Sequence, residues 1–339
     1  MTAQAHVDPA TDGPRARVPA VDVARGVAIL AMVIYHLSWD LMIFGLVDWR
    51  VEDGLGWRIF RTLIAGSFLT LVGVGLVLAA RGGVNWVAAA RRIGWIAGSA
   101  ALISVVTYFA IPDTWIFFGI LHCIAVVSVL GWGLVRAPLW ALAPLALAAF
   151  AAPEFARATM FDHPLLSWTG LVTVAPITND YVPLFPWSGF AIAGIVAARL
   201  ALDHHQRLTG LWRWGATGPI ARCFSMAGRR SLAIYLIHQP ILIAFIAAFV
   251  ATSGAGSWPF GAAATDARMG FETACVAACR QSMATDGLEA AGEDRCVAHC
   301  GCLTEQAAAA GLLTAPATEA TRATMLDLAT ACAAQTTGD

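Results

Sequence analysis

The sequence predicts an all-α polytopic membrane protein of about seven transmembrane helices, followed by a small helical C-terminal tail stapled by disulfides. Three observations lead there. Apolar residues make up 58% of the chain and charged residues 13%, whereas soluble domains carry roughly 25% charged residues. Long apolar stretches recur from residue 23 to residue 252. Every one of the 21 basic residues is Arg, and these cluster in particular segments.

Residues 1–20, MTAQAHVDPATDGPRARVPA, are polar and Pro-rich and read as a disordered cytoplasmic leader in which His6 has no role. No signal-peptide pattern precedes the first apolar stretch, so that stretch is expected to stay as an anchor. A span needs about 20 mostly apolar residues. Such stretches lie near 23–47, 60–80, 93–111, 116–135, 137–152, 185–202 and 231–252, and make 21–252 the membrane domain. The fifth is short and carries Pro144, so it is the one expected to tilt, kink or re-enter.

The arginines set the orientation, because cytoplasmic loops near span ends hold excess positive charge. Arg15, Arg17 and Arg25 precede the first span, Arg81, Arg91 and Arg92 follow the second, Arg136 follows the fourth, and six more from Arg199 to Arg230 surround the last loop. The opposite loops hold only Arg50, Arg58, Arg61 and Arg157. The N-terminus is therefore expected inside and, with seven spans, the C-terminus outside. Residues 253–339 form an acidic tail with ten acidic residues against four Arg and six of the eight cysteines.

An even cysteine cluster suits an oxidising compartment. Cys275 and Cys279, like Cys296 and Cys300, are spaced one helical turn apart. Two antiparallel helices stapled by Cys275–Cys300 and Cys279–Cys296, with Cys302 left for Cys332, is one of the 15 pairings six cysteines allow. A metal site with His299 is the alternative, but zinc ligands usually come as paired C-x2-C knuckles, so no metal is expected.

Ionisable groups inside spans are costly and usually functional. His36, His122 and His238 qualify, each among apolar neighbours. Arg25 precedes His36 by eleven positions, which places them within about 20° on one helix face and roughly 16 Å apart in depth. One stripe thus offers a cation at the inner surface and an imidazole near mid-membrane, which suits a long ligand with phosphates at one end and a reactive group at the other, as in coenzyme A. Asp40, one turn past His36, either orients the ring or meets an acceptor. Tyr235 shares a face with His238 and is followed by Pro240. The glycines of LVGVGLVL and GFAIAG read as close helix packing.

VDVARGVAILAMVIYH resembles the first-span signature of membrane acyltransferases: Arg or Lys, ten residues, then His. GRRSLAIYLIHQPIL resembles the closing segment of that group, and FFGILHCIAVV with PLFPWSGFAIAGI is similar to bacterial relatives of heparan-α-glucosaminide N-acetyltransferase. The resemblance implies a membrane acetyltransferase passing an acetyl group from cytoplasmic acetyl-CoA to an amino sugar or glycan across a bacterial inner membrane. It implies that His36 is central to transfer, with His122 a rival and His238 and Asp40 as further catalytic candidates.

Arg25, Arg229 and Arg230 are the candidate phosphate ligands, and the Arg-rich loop 203–230 as a whole could equally meet acidic lipids. Trp187, between Pro186 and the GF pair, and Tyr235 are the candidate substrate contacts. The expected partners are the bilayer and the glycan acceptor, with no nucleic acid. Two other readings stand beside this one: a proton-coupled transporter relaying through the three histidines, and an assembly protein acting through its tail.

Overall fold

The computed structural model describes residues 18–51, 54–81, 83–204, 215, 217–255, 263–285, 293–314 and 319–336. Most of the expected leader, and His205, Arg207 and Arg213, lie outside the described residues. Among the described residues the regular elements are all helical. The chain divides into two compact units, one of residues 1–42 and 47–248 and another of residues 43–46 and 249–339.

In the first unit, α1 (Pro19–Ile43) starts on Pro19, whose fixed φ and missing N–H fit a first helical position. The helices α2 (Leu55–Ala80) and α3 (Trp86–Ala110) follow. The Asn85 side chain caps α3 by accepting from the Ala88 N–H at 3.0 Å. The shorter α4 (Ile120–Leu134) and α5 (Leu139–Phe155) precede α6 (Leu184–Asp203), α7 (Pro219–Arg229) and α8 (Ser231–Ser253). The Phe185–Pro186 peptide is cis.

Among the described residues five helices, α1, α2, α3, α6 and α8, are long and apolar enough to cross a membrane. The fourth and fifth predicted stretches give helices of only 15 and 17 residues. The fourth is short because residues 116–119 are not helical and the helix begins only after Gly119. The fifth tolerates Pro144 and Pro153 inside it. Leu63, Trp140 and Phe245 are exposed on the bundle, as side chains facing lipid are.

Within a bilayer apolar burial does not drive helices together, so backbones approach through small residues. The structure uses two such crossings. A Cβ on Gly73 of α2 would collide with the Ala191 carbonyl of α6, and one on Gly194 of α6 with the Thr70 carbonyl of α2. Likewise Gly26 of α1 abuts the Phe224 carbonyl, and Gly228 of α7 the Asp22 carbonyl. The α2–α6 pair also packs on α4, and α5 packs on α6.

The second unit holds α9 (Ala263–Thr285), α10 (Glu293–Ala309) and α11 (Glu319–Thr336). Three disulfides join them: Cys275–Cys300, Cys279–Cys296 and Cys302–Cys332. The first two run in opposite chain order, so α9 and α10 are antiparallel. Cys296, Cys300, Ala307 and Cys332 are fully buried and Leu303 nearly so, which makes the sulfurs much of this unit's small core. Cys123 is free and buried, and Cys223 free and exposed.

Candidate active site

Helices α1 and α8, 202 positions apart in sequence, bring His36 and His238 together with Nδ1 of His36 2.6 Å from Nε2 of His238. The rings stack with centroids 4.9 Å apart. The other nitrogen of His238, Nδ1, faces the backbone carbonyls of Tyr235 at 2.8 Å and Ile234 at 3.2 Å. Carbonyls only accept, so His238 Nδ1 carries the hydrogen and its Nε2 is the acceptor. His36 must then donate from Nδ1, which leaves the lone pair on its Nε2. That atom has no hydrogen-bond partner among the described residues, and His36 is half-buried. This is the tautomer a base or nucleophile needs, held by a second residue.

A turn further along α1, Asp40 is fully buried and accepts from Gln239 Nε2 at 2.6 Å. Its carboxyl therefore grips α8 and does not orient the His36 ring.

At the other end of the same stripe lies a cavity of about 1440 Å³. Among the described residues its lining includes Arg25, Arg81, Arg91, Arg92 and Arg229, with Asp22 the one acidic side chain. Asp22 sits 3.4 Å from Arg25. The local reason for the crowding is Gly75: a Cβ there would lie 2.9 Å from Arg25 Nη2 and within 3.9 Å of both terminal nitrogens of Arg92. The glycine gives two guanidiniums room over one patch of α2. Like charges so placed are relieved by an anion, and guanidinium forks match phosphate oxygens. Apolar walls from Ile29, Phe68, Val72 and Ile124 lead inward to Tyr235.

Tyr235 packs on His238 with ring centroids 5.9 Å apart, and its hydroxyl hydrogen bonds Asp180. Asp180, from the segment before α6, also accepts from the Ile120 N–H at 2.9 Å. A carboxyl at a helix N-terminus meets the positive end of the dipole. Burial pushes the Asp180 carboxyl up, opposed by the Ile120 N–H, Arg61 and Tyr235. Gly119 is required there, because a Cβ would strike Asp180 Oδ2.

His122 serves the same helix start. Its Nδ1 accepts from the Gly119 N–H at 3.2 Å, and its Nε2 lies 3.2 Å from Ser104 Oγ, which donates to the Ile116 carbonyl at 2.6 Å. Both ring nitrogens are thus occupied, Nδ1 at the α4 cap and Nε2 by Ser104 of α3.

The structure thus brings His36, His238, Asp40 and Tyr235 into one neighbourhood, puts Arg25 and Arg229 in the cavity wall, and holds His122 in a cap. Arg230 ends α7 with its N–H on the Ala227 and Met226 carbonyls and is not part of the lining. Trp187 is partly buried, stacked on Phe190 at 5.7 Å and packed on the α2–α4–α6 core. His204 is exposed, with Nδ1 on its own helix's Leu200 carbonyl. Sequence reasoning missed Arg91 and Arg92 as cavity residues, although their doubling at the start of a span was a visible signal. It also missed Gly75 as a cradle and Asp180 altogether.

Apolar helices around a stacked histidine pair, with an arginine-walled cavity lined from the same helix, define a polytopic membrane protein. Residues 17–240 match the family model described as heparan-alpha-glucosaminide N-acetyltransferase, catalytic, and the chain belongs to that family of membrane acetyltransferases. No curated protein and no solved structure matches the chain.

Proposed function

We propose that this protein transfers an acetyl group from acetyl-CoA on the cytoplasmic side to an amino sugar or glycan on the periplasmic side of a bacterial inner membrane. The observation that carries the reading is the cavity whose wall, among the described residues, holds five arginines and one aspartate, on the same helix as a histidine whose Nε2 has no partner among those residues. At about 1440 Å³ it exceeds the roughly 300–1,000 Å³ of ordinary small-ligand pockets, as a coenzyme A needs.

In this reading Arg25, Arg91, Arg92 and Arg229 hold the phosphates, and the pantetheine arm follows the apolar walls toward Tyr235. His36 lies about 10 Å beyond Ile29 along α1, so the thioester passes Tyr235 to reach it. His36 Nε2 then takes the proton of the acceptor amine or hydroxyl as that group attacks the thioester carbon; the new bond forms, the C–S bond breaks, and the proton passes to the departing thiolate. Alternatively Nε2 attacks the thioester carbon, the C–S bond breaks as the thiolate leaves, and the acetyl then passes from Nε2 to the acceptor, whose proton ends on the thiolate. In both routes His238 Nε2 accepts from His36 Nδ1 and fixes the ring. His122 caps α4 and takes no part.

The positive-inside pattern supports a cytoplasmic arginine end. With α4 and α5 crossing as well, seven spans put the disulfide-joined tail outside, where such bonds persist. The test is sidedness: purified protein in sealed vesicles, with labelled acetyl-CoA outside and glucosamine trapped within. N-acetylglucosamine forming inside supports the reading. Label incorporated nowhere, with well-folded protein and a panel of amino sugars, removes it.

A further inference from the structure

Asp40 is the buried carboxyl within the spans that this chemistry leaves unused. It has no exposed surface, and its Oδ1 accepts from Gln239 Nε2 at 2.6 Å. Its Oδ2 and the Oε1 of Gln239 are both buried with no hydrogen-bond partner among the described residues. No cation pairs with it among the described residues. Written as a carboxylate, the pair leaves two acceptors orphaned inside a membrane helix bundle, an arrangement buried polar groups avoid. A single proton repairs both defects. Placed on Oδ2 it turns one orphan into a donor, and Gln239 Oε1, on the side chain already joined through Nε2 and Oδ1, accepts it.

We infer that Asp40 is a neutral, proton-bearing carboxylic acid joined to Gln239 by two hydrogen bonds, and that this pair positions α8 against α1 so that His238 meets His36. The inference rests on the acetyltransferase reading for its consequence. An anion one turn from His36 favours imidazolium, which has no lone pair to offer, whereas a neutral acid leaves the imidazole free to act. Gln239 adjoins His238 and Asp40 follows His36 by four positions, so the two pairs share one crossing. Asp40 is a positioning residue acting through the histidines.

The experiment uses the full chain in detergent, comparing wild type with Asp40→Asn and Asp40→Leu. Asparagine reproduces both hydrogen bonds, with Nδ2–H in place of Oδ2–H, but carries no ionisable proton. The infrared difference between wild type and Asp40→Asn at neutral pH is expected to show a protonated-carboxyl C=O band lost from wild type. Turnover of Asp40→Asn is expected within about threefold of wild type, while Asp40→Leu, which strands Gln239, lowers kcat by about tenfold or more with the KM for acetyl-CoA unchanged.

Loss of only a carboxylate band, or an Asp40→Asn variant as inactive as Asp40→Leu, overturns the inference. If Asp40→Leu does not fold, the infrared band and the Asp40→Asn turnover still decide it. Wild type without turnover would count against the acetyltransferase reading, and the infrared result would still stand on its own.

Discussion

His36 donates to His238 across the α1–α8 crossing, Nδ1 to Nε2 at 2.6 Å, while His238 is fixed from behind by the carbonyls of Tyr235 and Ile234. The arrangement sets which nitrogen of His36 carries the lone pair. Replacing His238 should therefore cost catalysis without costing the donor site. His238→Ala is expected to lower kcat by about 100-fold, within the range of losing an oriented acid–base group, with acetyl-CoA affinity unchanged. His238→Gln, whose Oε1 can accept from the same Nδ1–H, should recover part of the loss. Equal inactivity of the two variants, or a change confined to KM, contradicts the role.

Gly75 offers the reverse separation. An added Cβ meets the tip of Arg25 at 2.9 Å and not a backbone atom, so the bundle can keep its packing while the guanidinium is pushed aside. Gly75→Ala is expected to weaken acetyl-CoA binding by about tenfold, the scale of one lost charge-assisted hydrogen bond, with thermal stability nearly unchanged. Unaltered affinity in titration calorimetry would show that the Arg25–Arg92 cradle does not hold the donor.

The disulfide-joined unit should be separable from the chemistry. Its bonds close stretches of 25, 17 and 30 residues, and a crosslink over such a loop stabilises by about 3 kcal/mol. A mild reductant is therefore expected to lower helical circular dichroism from residues 263–336 and leave acetyl-CoA binding intact. Maleimide labelling before reduction should reach exposed Cys223 and spare buried Cys123. Loss of donor binding on reduction would mean the two units are functionally coupled.

Asp180 predicts a pH dependence of stability. Burial raises its carboxyl above the ordinary value, partly offset by the Ile120 N–H, Arg61 and Tyr235. A carboxyl whose pKa rises on folding contributes stability that is fully present below its unfolded value of about 3.9 and is lost as pH rises through the folded one. Asp180→Asn removes that contribution. The difference in unfolding temperature between acidic and neutral pH should shrink in the variant, and an unchanged difference counters the assignment.

Much of this was legible in the sequence, and the limit follows from distance along the chain. The Arg25–His36 stripe could be read because both residues sit on one helix with a fixed repeat. The disulfide helices followed from one-turn spacing, and the packing glycines Gly73 and Gly194 from their place among apolar neighbours. The His36–His238 contact could not be read, since no local period relates positions 202 apart. His122 looked like its two fellows because a capping role depends on where α4 begins, and that start is set by Gly119 and by Asp180, 60 residues on. Arg91 and Arg92 were visible as charge that marks a membrane side, but their convergence with Arg25 needed Gly75 to leave the space.

In the proposed reaction the arginine-walled cavity holds the acetyl donor while His36 acts on it from a separate position. The most direct measurement is titration calorimetry of acetyl-CoA into the detergent-solubilised full chain, wild type beside Arg25→Ala, Arg92→Ala and His36→Ala. Binding is expected to weaken by about tenfold or more in each arginine variant and to survive in His36→Ala, whose turnover is lost. No binding to well-folded wild type, or equal binding in all four proteins, would contradict it.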